Sequence, residues 1–348
     1  MRPIYILILL FFIVFSLPKC SDGANRSEIT KEITKKYSIS PEAKVTLKNS
    51  FGSIHCTTWD KNEISINIVI TVDTKSQEKA EEIFELIDFT LNGSESAVTA
   101  RTRLAKDFKV KGKFSINYFV HIPATVNLDL SNEFGDVVIG ELKGRSIISI
   151  EYGHAVIETL NHGDNLLKVE FGSFRIGSLK GAVINMEFSK LTIDYAGSIR
   201  LKSKYSDLTI GEVVVLEGSV EGGKMNLENA TVLTLTTEYP SVEIGTLKEK
   251  LFVDGDFGNF EIRHVSPDFK SITIINDYGN YIIPIGTSAS YTIDAELHHG
   301  GIQLPKDQAE FSTYISSDSE LIIQGTIGKN PAGAVKIRSE FGNISLIK

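Results

Sequence analysis

From about residue 130 onward, apolar and polar positions alternate in short runs. One recurring phrase punctuates them: an acidic residue, an aromatic, then glycine or serine. It reads Asn132-Glu133-Phe134-Gly135, then Glu151-Tyr152-Gly153, Glu170-Phe171-Gly172, Glu187-Phe188-Ser189 and Lys204-Tyr205-Ser206. It continues as Glu221-Gly222-Gly223, Glu238-Tyr239-Pro240, Asp256-Phe257-Gly258, Asp277-Tyr278-Gly279 and His298-His299-Gly300. A degenerate copy follows at Ser317-Asp318-Ser319, and a clean one at Glu340-Phe341-Gly342. Between Phe134 and Phe341 the phrase returns about every 19 residues. Such a period implies stacked units, none of which can bury its apolar face alone.

Inside each unit the spacing is tighter. Five residues after the aromatic stands an aliphatic: Ile139, Ile157, Ile176, Ile193, Ile210 and onward to Leu346. Two positions before it another apolar residue is common, as at Val137, Phe174 and Leu191. Upstream, Ile148-x-Ile150-x-Tyr152 and Leu167-x-Val169-x-Phe171 alternate as well. Period-two alternation on both sides of a small-residue corner specifies β-strands with one face buried. Carried through the corner, it predicts that Phe134, Tyr152, Phe171, Phe188, Tyr205, Tyr239, Phe257 and Tyr278 face inward and the preceding acids outward. The glycine or serine after the aromatic is expected to make the turn.

The predicted fold is therefore all-β: a parallel β-helix, or solenoid, over residues 126–348, right-handed as parallel crossovers usually are. The Phe134-Val137-Ile139-Leu142 spacing breaks the every-sixth-residue rule of a left-handed hexapeptide helix. A propeller would need a period of roughly 40 residues. Ahead of the array, residues 37–125 read as a strand-rich N-terminal cap containing one helix. Ile64-x-Ile66-x-Ile68-x-Ile70 alternates, Ser76 can cap a helix over Lys79–Leu86 with a stripe of Ile83, Leu86 and Ile87, and strands resume at 98–102 and 114–120. An isolated early copy of the phrase, Ser50-Phe51-Gly52, has Cys56 five residues after its aromatic. Residues 20–36 are polar and read as a tether.

Composition narrows the function. A formal charge of −8 argues against a nucleic-acid partner, which needs a basic surface. Arg2 followed by an apolar run from Ile4 to Leu17 reads as a signal peptide over 1–19, too short for a spanning helix. The expected location is thus outside the cytoplasm: periplasm, outer surface or medium. Membrane attachment would come only through a lipid on Cys20; Leu17-Pro18-Lys19 fits an acylation signal poorly, whereas Cys20-Ser21-Asp22 resembles the start of a mature lipoprotein. With Cys20 and Cys56 the only cysteines, no disulfide framework holds the fold, and Cys56 reads as a buried hydrophobe.

Asn49-Ser50-Phe51-Gly52-Ser53-Ile54, Thr58-Trp59-Asp60, the Tyr118-Phe119-Val120-His121-Ile122-Pro123 phrase and the acid–aromatic–glycine repeats together carry a resemblance. From about residue 40 to its end the chain resembles an adhesin-like family of bacterial envelope proteins. The resemblance implies a β-solenoid in the cell envelope and brings no catalytic residues.

The repeated acids Glu133, Glu151, Glu170, Glu187, Glu221, Glu238, Asp256, Asp277 and Glu340 could stack as an outward ladder. Two readings stand open: a row of Ca²⁺ ligands, or a solvated edge that deters strand pairing. Whether they hold a metal is left open, as is a weak metal contact at the His298-His299 doublet. An acid repeated in most units is a mark of architecture rather than of a two-carboxylate catalytic pair. No phosphate loop or nucleophile elbow is present. The expectation is a protein without catalytic residues or cofactor that contacts an extracellular or envelope macromolecule, glycan or protein. The alternative is a carbohydrate-active β-helix enzyme, a polysaccharide lyase or hydrolase, with a cleft in the longer intervals after Phe257 or around Gly325–Gly333.

Overall fold

The computed structural model describes residues 28–347 apart from positions 107 and 111. The expected signal peptide and Cys20 lie outside the described residues. The chain is all-β, with one α-helix among the described residues and a large mixed sheet of 22 strands.

Parallel pairing holds the repeats in register. Asn127–Glu133 pairs with Ser146–Glu151, which pairs with Asn165–Glu170, which pairs with the second half of Ser173–Glu187. The strands after the corner follow suit: Val137–Leu142 pairs with His154–Leu160, and that with the first half of Ser173–Glu187. Leu130, Ile148, Leu167 and Ile184 before the corner, and Ile139, Ile157, Ile176 and Ile193 after it, are all buried. Leu142, Leu160 and Leu179 add a further inward row. The aliphatic five residues after each aromatic is core, as the alternation predicts.

The aromatics are not. Phe134, Tyr152, Phe171, Phe188, Tyr205, Tyr239, Phe257 and Tyr278 are 42–60% exposed, so the inward assignment is corrected. The reason lies in the backbone. Each takes a positive φ, from 46° at Phe188 to 62° at Tyr278. A left-handed residue breaks strand parity, so the side chain that alternation would aim inward is turned out at the corner. The glycine that follows has a different role from the one expected. Gly153 has no positive φ; a Cβ there would run into the carbonyl oxygen of Gly135 in the repeat below. At Gly153 glycine is needed for close approach, while the aromatic before it makes the turn.

Chain order and stacking order diverge at both ends. The early copy belongs to the stack: Lys44–Ser50 pairs in parallel with Asn127–Glu133, and Ile54–Trp59 with Val137–Leu142. Residues between them fold over the outer side of that first layer, with Ala97–Leu104 on Lys44–Ser50 and Phe114–Pro123 on Ile54–Trp59. Ser76 caps the helix Gln77–Glu85 by accepting from the Lys79 N–H at 3.3 Å, and Ala80 and Phe84 are its buried face. The stretch expected as a tether is, from Glu28, a strand antiparallel to Glu63–Asp73. Its half-buried Ile29, Ile33 and Tyr37 recur every fourth residue with lysines between, which masks the alternation.

At the other end, Gly333–Glu340 lies between Ser271–Ile282 and Tyr291–His298, parallel to both. The last copy, at Phe341, therefore sits between those of Tyr278 and His299. The degenerate copy at 317–319 is the turn of an antiparallel hairpin, Ala309–Ser316 with Glu320–Ile327, laid on Tyr291–His298. The longer intervals are filled by strands rather than by loops.

Inward and outward positions should separate in urea unfolding. Ile176→Ala should cost about 2–5 kcal/mol. Phe171→Gly should stay within about 1 kcal/mol of wild type, since lost stacking is offset by relief of the left-handed conformation. Equal losses from the two would mean that the ring is core. Gly153→Ala, forced against the Gly135 carbonyl, should lose about 1–3 kcal/mol.

Candidate functional site

The corner residues form one continuous external feature. Phe51, Phe134, Tyr152, Phe171, Phe188 and Tyr205 stack in succession, with ring centroids 5.1–5.4 Å apart and interplanar angles of 5–16°. The series resumes with Tyr239, Phe257, Tyr278, Phe341 and His299 at 4.9–5.0 Å. The spacing follows from the strand separation of about 4.8 Å. Ring faces cover one another and ring edges meet solvent. His299 takes a ring's place in this ladder, which accounts for half of the histidine doublet.

The residue before each ring points outward, as alternation predicts, and the carboxylates do form a column. Glu133, Glu151, Glu170 and Glu187 are register neighbours, as are Glu238, Asp256, Asp277 and Glu340. Lysines relieve the upper part: Lys168 Nζ lies 2.9 Å from Glu170, and Lys204 Nζ 2.7 Å from Glu221. Glu221 also accepts the Tyr205 hydroxyl at 2.7 Å, and these two bonds hold its carboxyl below the usual range. Asp277 is the reverse case. Partial burial, then the neighbouring Glu340, Asp256 and Asp254, push its carboxyl up.

Cys56 is buried, and burial pushes its thiol up to about 12, so it serves as core. Glu296, His298 and Glu320 each bring one donor atom to within 4.8 Å of the others, a set that could hold a divalent ion. His298 and Glu320 are cross-strand partners, and His298 Nε2 is 3.4 Å from Glu296 Oε1. Arg338 already neutralises this end through Asp294 at 3.0 Å and Glu296 at 3.4 Å. Glu170 and Glu187 line a shallow depression of about 220 Å³ with Lys168, Lys202 and Lys204, so it presents charges of both signs. The arrangement suits many parallel contacts along a flank.

The ladder as an exposed feature was missed from sequence because the rings were assigned to the core. One signal was available: Gly222 occupies the aromatic position in its repeat, and glycine is favoured where φ is positive.

No protein-family model matches this chain, and no curated protein matches it. Among solved structures, it is similar to a candidate adhesin from Parabacteroides merdae at 12% identity and a TM-score of 0.25, covering 91% of this chain and 97% of that one. A candidate cell adhesion protein from Clostridium sporogenes is similar at 10% identity and a TM-score of 0.19, over 91% and 98% of the two chains. A candidate lipid binding protein from Parabacteroides distasonis is similar at 12% identity and a TM-score of 0.24, over 91% and 97%.

The carboxylate column should be visible in the pH dependence of stability. A raised Asp277 destabilises the folded chain once ionised, above its folded pKa, and not below the unfolded value. Asp277→Asn should therefore raise Tm at pH 7, with the gain vanishing near pH 3. For Glu221 the sign reverses, since its lowered carboxyl stabilises above the unfolded pKa. Glu221→Gln should lower Tm at pH 7, and that loss should fade as pH falls through the carboxylate range. Thermal unfolding of both variants across pH checks the pair.

Proposed function

We propose that this chain is an exported, non-catalytic β-solenoid of the bacterial cell envelope, right-handed, that contacts a glycan or protein through its ringed flank. The carrying observation is the ladder itself, in which rings stacked at 4.9–5.4 Å run beside an in-register column of carboxylates. Repeat stacking produces an extended surface of recurring side chains, suited to many weak contacts rather than to one deep pocket. The right-handed sense rests on the usual hand of parallel crossovers. Export rests on Arg2 and the apolar run from Ile4 to Leu17. The charge balance supports a partner other than nucleic acid, and a lipid on Cys20 would be the route of membrane attachment.

An array of glycans and matrix proteins, probed with and without Ca²⁺ while released sugars are assayed, tests this reading. The expected outcome is saturable binding without turnover. Joint charge reversal at Glu133, Glu151 and Glu170 should weaken it at least several-fold. Turnover of any polysaccharide would replace the reading with that of a β-helix lyase or hydrolase.

A further inference from the structure

The ring ladder is interrupted once among the described residues, at Gly222. Tyr205 ends one run by stacking on Phe188 at 5.4 Å, and Tyr239 opens the next by stacking on Phe257 at 5.0 Å. Gly222 keeps the corner conformation, with φ 65°, but brings no ring. The two tyrosine corners are two strand spacings apart, about 10 Å, which leaves room for one ring at the ladder's own pitch. Tyr239 is accordingly the most exposed ring of the series, at 60%. Tyr205 leans over the gap: its Cδ1 lies 2.9 Å from where a Cβ on Gly222 would stand.

The same repeat is also thinned along its strand. Gly218 and Ser219 lie in a surface depression of about 390 Å³ whose polar lining includes Asn185, Lys202, Thr234 and Thr236. Ser219 is three residues from Gly222, roughly 10 Å along the strand, about the reach of two linked sugar units. One repeat thus sets a corner with no ring of its own, open on the Tyr239 side, beside a cluster of hydroxyl, amide and ammonium groups. The nearby charges sum to zero: Lys204 pairs with Glu221 at 2.7 Å and Arg200 with Glu217 at 3.9 Å, and Lys202 and Glu238 carry opposite charges. That balance favours an uncharged ligand over an anion or a cation.

We propose that the gap at Gly222 is a binding site for a neutral glycan chain, one pyranose of which stacks on the free face of Tyr239 while its neighbour lies over Ser219. The proposal rests on the reading of the flank as a binding surface and locates the ligand on it. The apolar face of a pyranose takes the place of the absent ring, and its hydroxyls meet the side chains of the depression.

Calorimetric titration of the full chain with neutral gluco-, manno- and galacto-hexasaccharides tests it. At least one should bind, and Tyr239→Ala should weaken that affinity about tenfold or more, the scale of one lost stacking contact. Tyr239→Phe should retain most of it, and Tyr195→Ala, an exposed ring outside the ladder, should leave it unchanged. Gly222→Phe is the sharpest variant, because aromatic residues already occupy this left-handed corner in neighbouring repeats. With Tyr205 swung back into the stack it should complete the ladder, keep the strand signature in circular dichroism and abolish binding. If Gly222→Phe fails to fold, the three tyrosine variants decide. Unchanged affinity in Tyr239→Ala or in a folded Gly222→Phe would overturn the site while leaving a binding flank elsewhere. Binding of protein partners but of no neutral hexasaccharide would also overturn it and spare the broader reading. Binding of nothing on glycan or protein arrays would remove both.

Discussion

Each repeat must turn the chain from one buried strand to the next without losing register with the repeats above and below. It does so by holding a single residue at a left-handed φ, usually an aromatic and therefore at a cost of about 1 kcal/mol. Stacking between successive rings, about 0.5–1.5 kcal/mol per pair, offsets that cost. Because the corner is a single residue of fixed conformation, every side chain around it is placed by it. The residue two before is aimed inward, as Ile150 and Val169 are, the acid one before is aimed outward, and the strand three residues on resumes with an inward Ala155 or Phe174.

The ends of such a stack expose strand edges, which invite pairing with other chains. Here both ends are covered by strands that run against the parallel direction. At one, Glu63–Asp73 lies antiparallel between Glu28–Ser38 and Phe114–Pro123. At the other, Ala309–Ser316 and Glu320–Ile327 form a hairpin on Tyr291–His298. Gly333–Glu340 lies between two earlier strands, so this end of the stack is closed by pairing between segments far apart in the chain. Such non-local pairing belongs to slow-folding topologies.

A repeated surface binds by repetition, and a unique event on it must come from a departure. Two departures stand out. The donor set of Glu296, His298 and Glu320 sits where the ladder ends, but Arg338 already answers its charge. The repeat containing Gly218, Ser219 and Gly222 departs differently, by subtraction of side chains at a corner that keeps its left-handed φ. Subtraction leaves the rigid frame intact, and that preorganises whatever the gap receives.

How much was readable depended on which forces act locally. Period-two alternation, as at Ile148-x-Ile150 and Ile64-x-Ile66, follows from strand geometry alone, so strands, core aliphatics and the Ser76-capped helix were legible in the sequence. The outward column of acids was legible for the same reason. The direction of the rings was not: it turns on one φ angle, and an aromatic residue gives no local sign of adopting it. Only the neighbouring repeats, by stacking on Phe171 or Tyr278, make that conformation favourable. Nor could linear order reveal that Phe341 sits between Tyr278 and His299, because strand pairing depends on which buried edges remain free once the rest of the chain has packed. The sequence by itself determined what each repeat is made of; the tertiary structure decided which way its corner faces and which repeat lies beside it, since both depend on contacts between residues far apart in the chain.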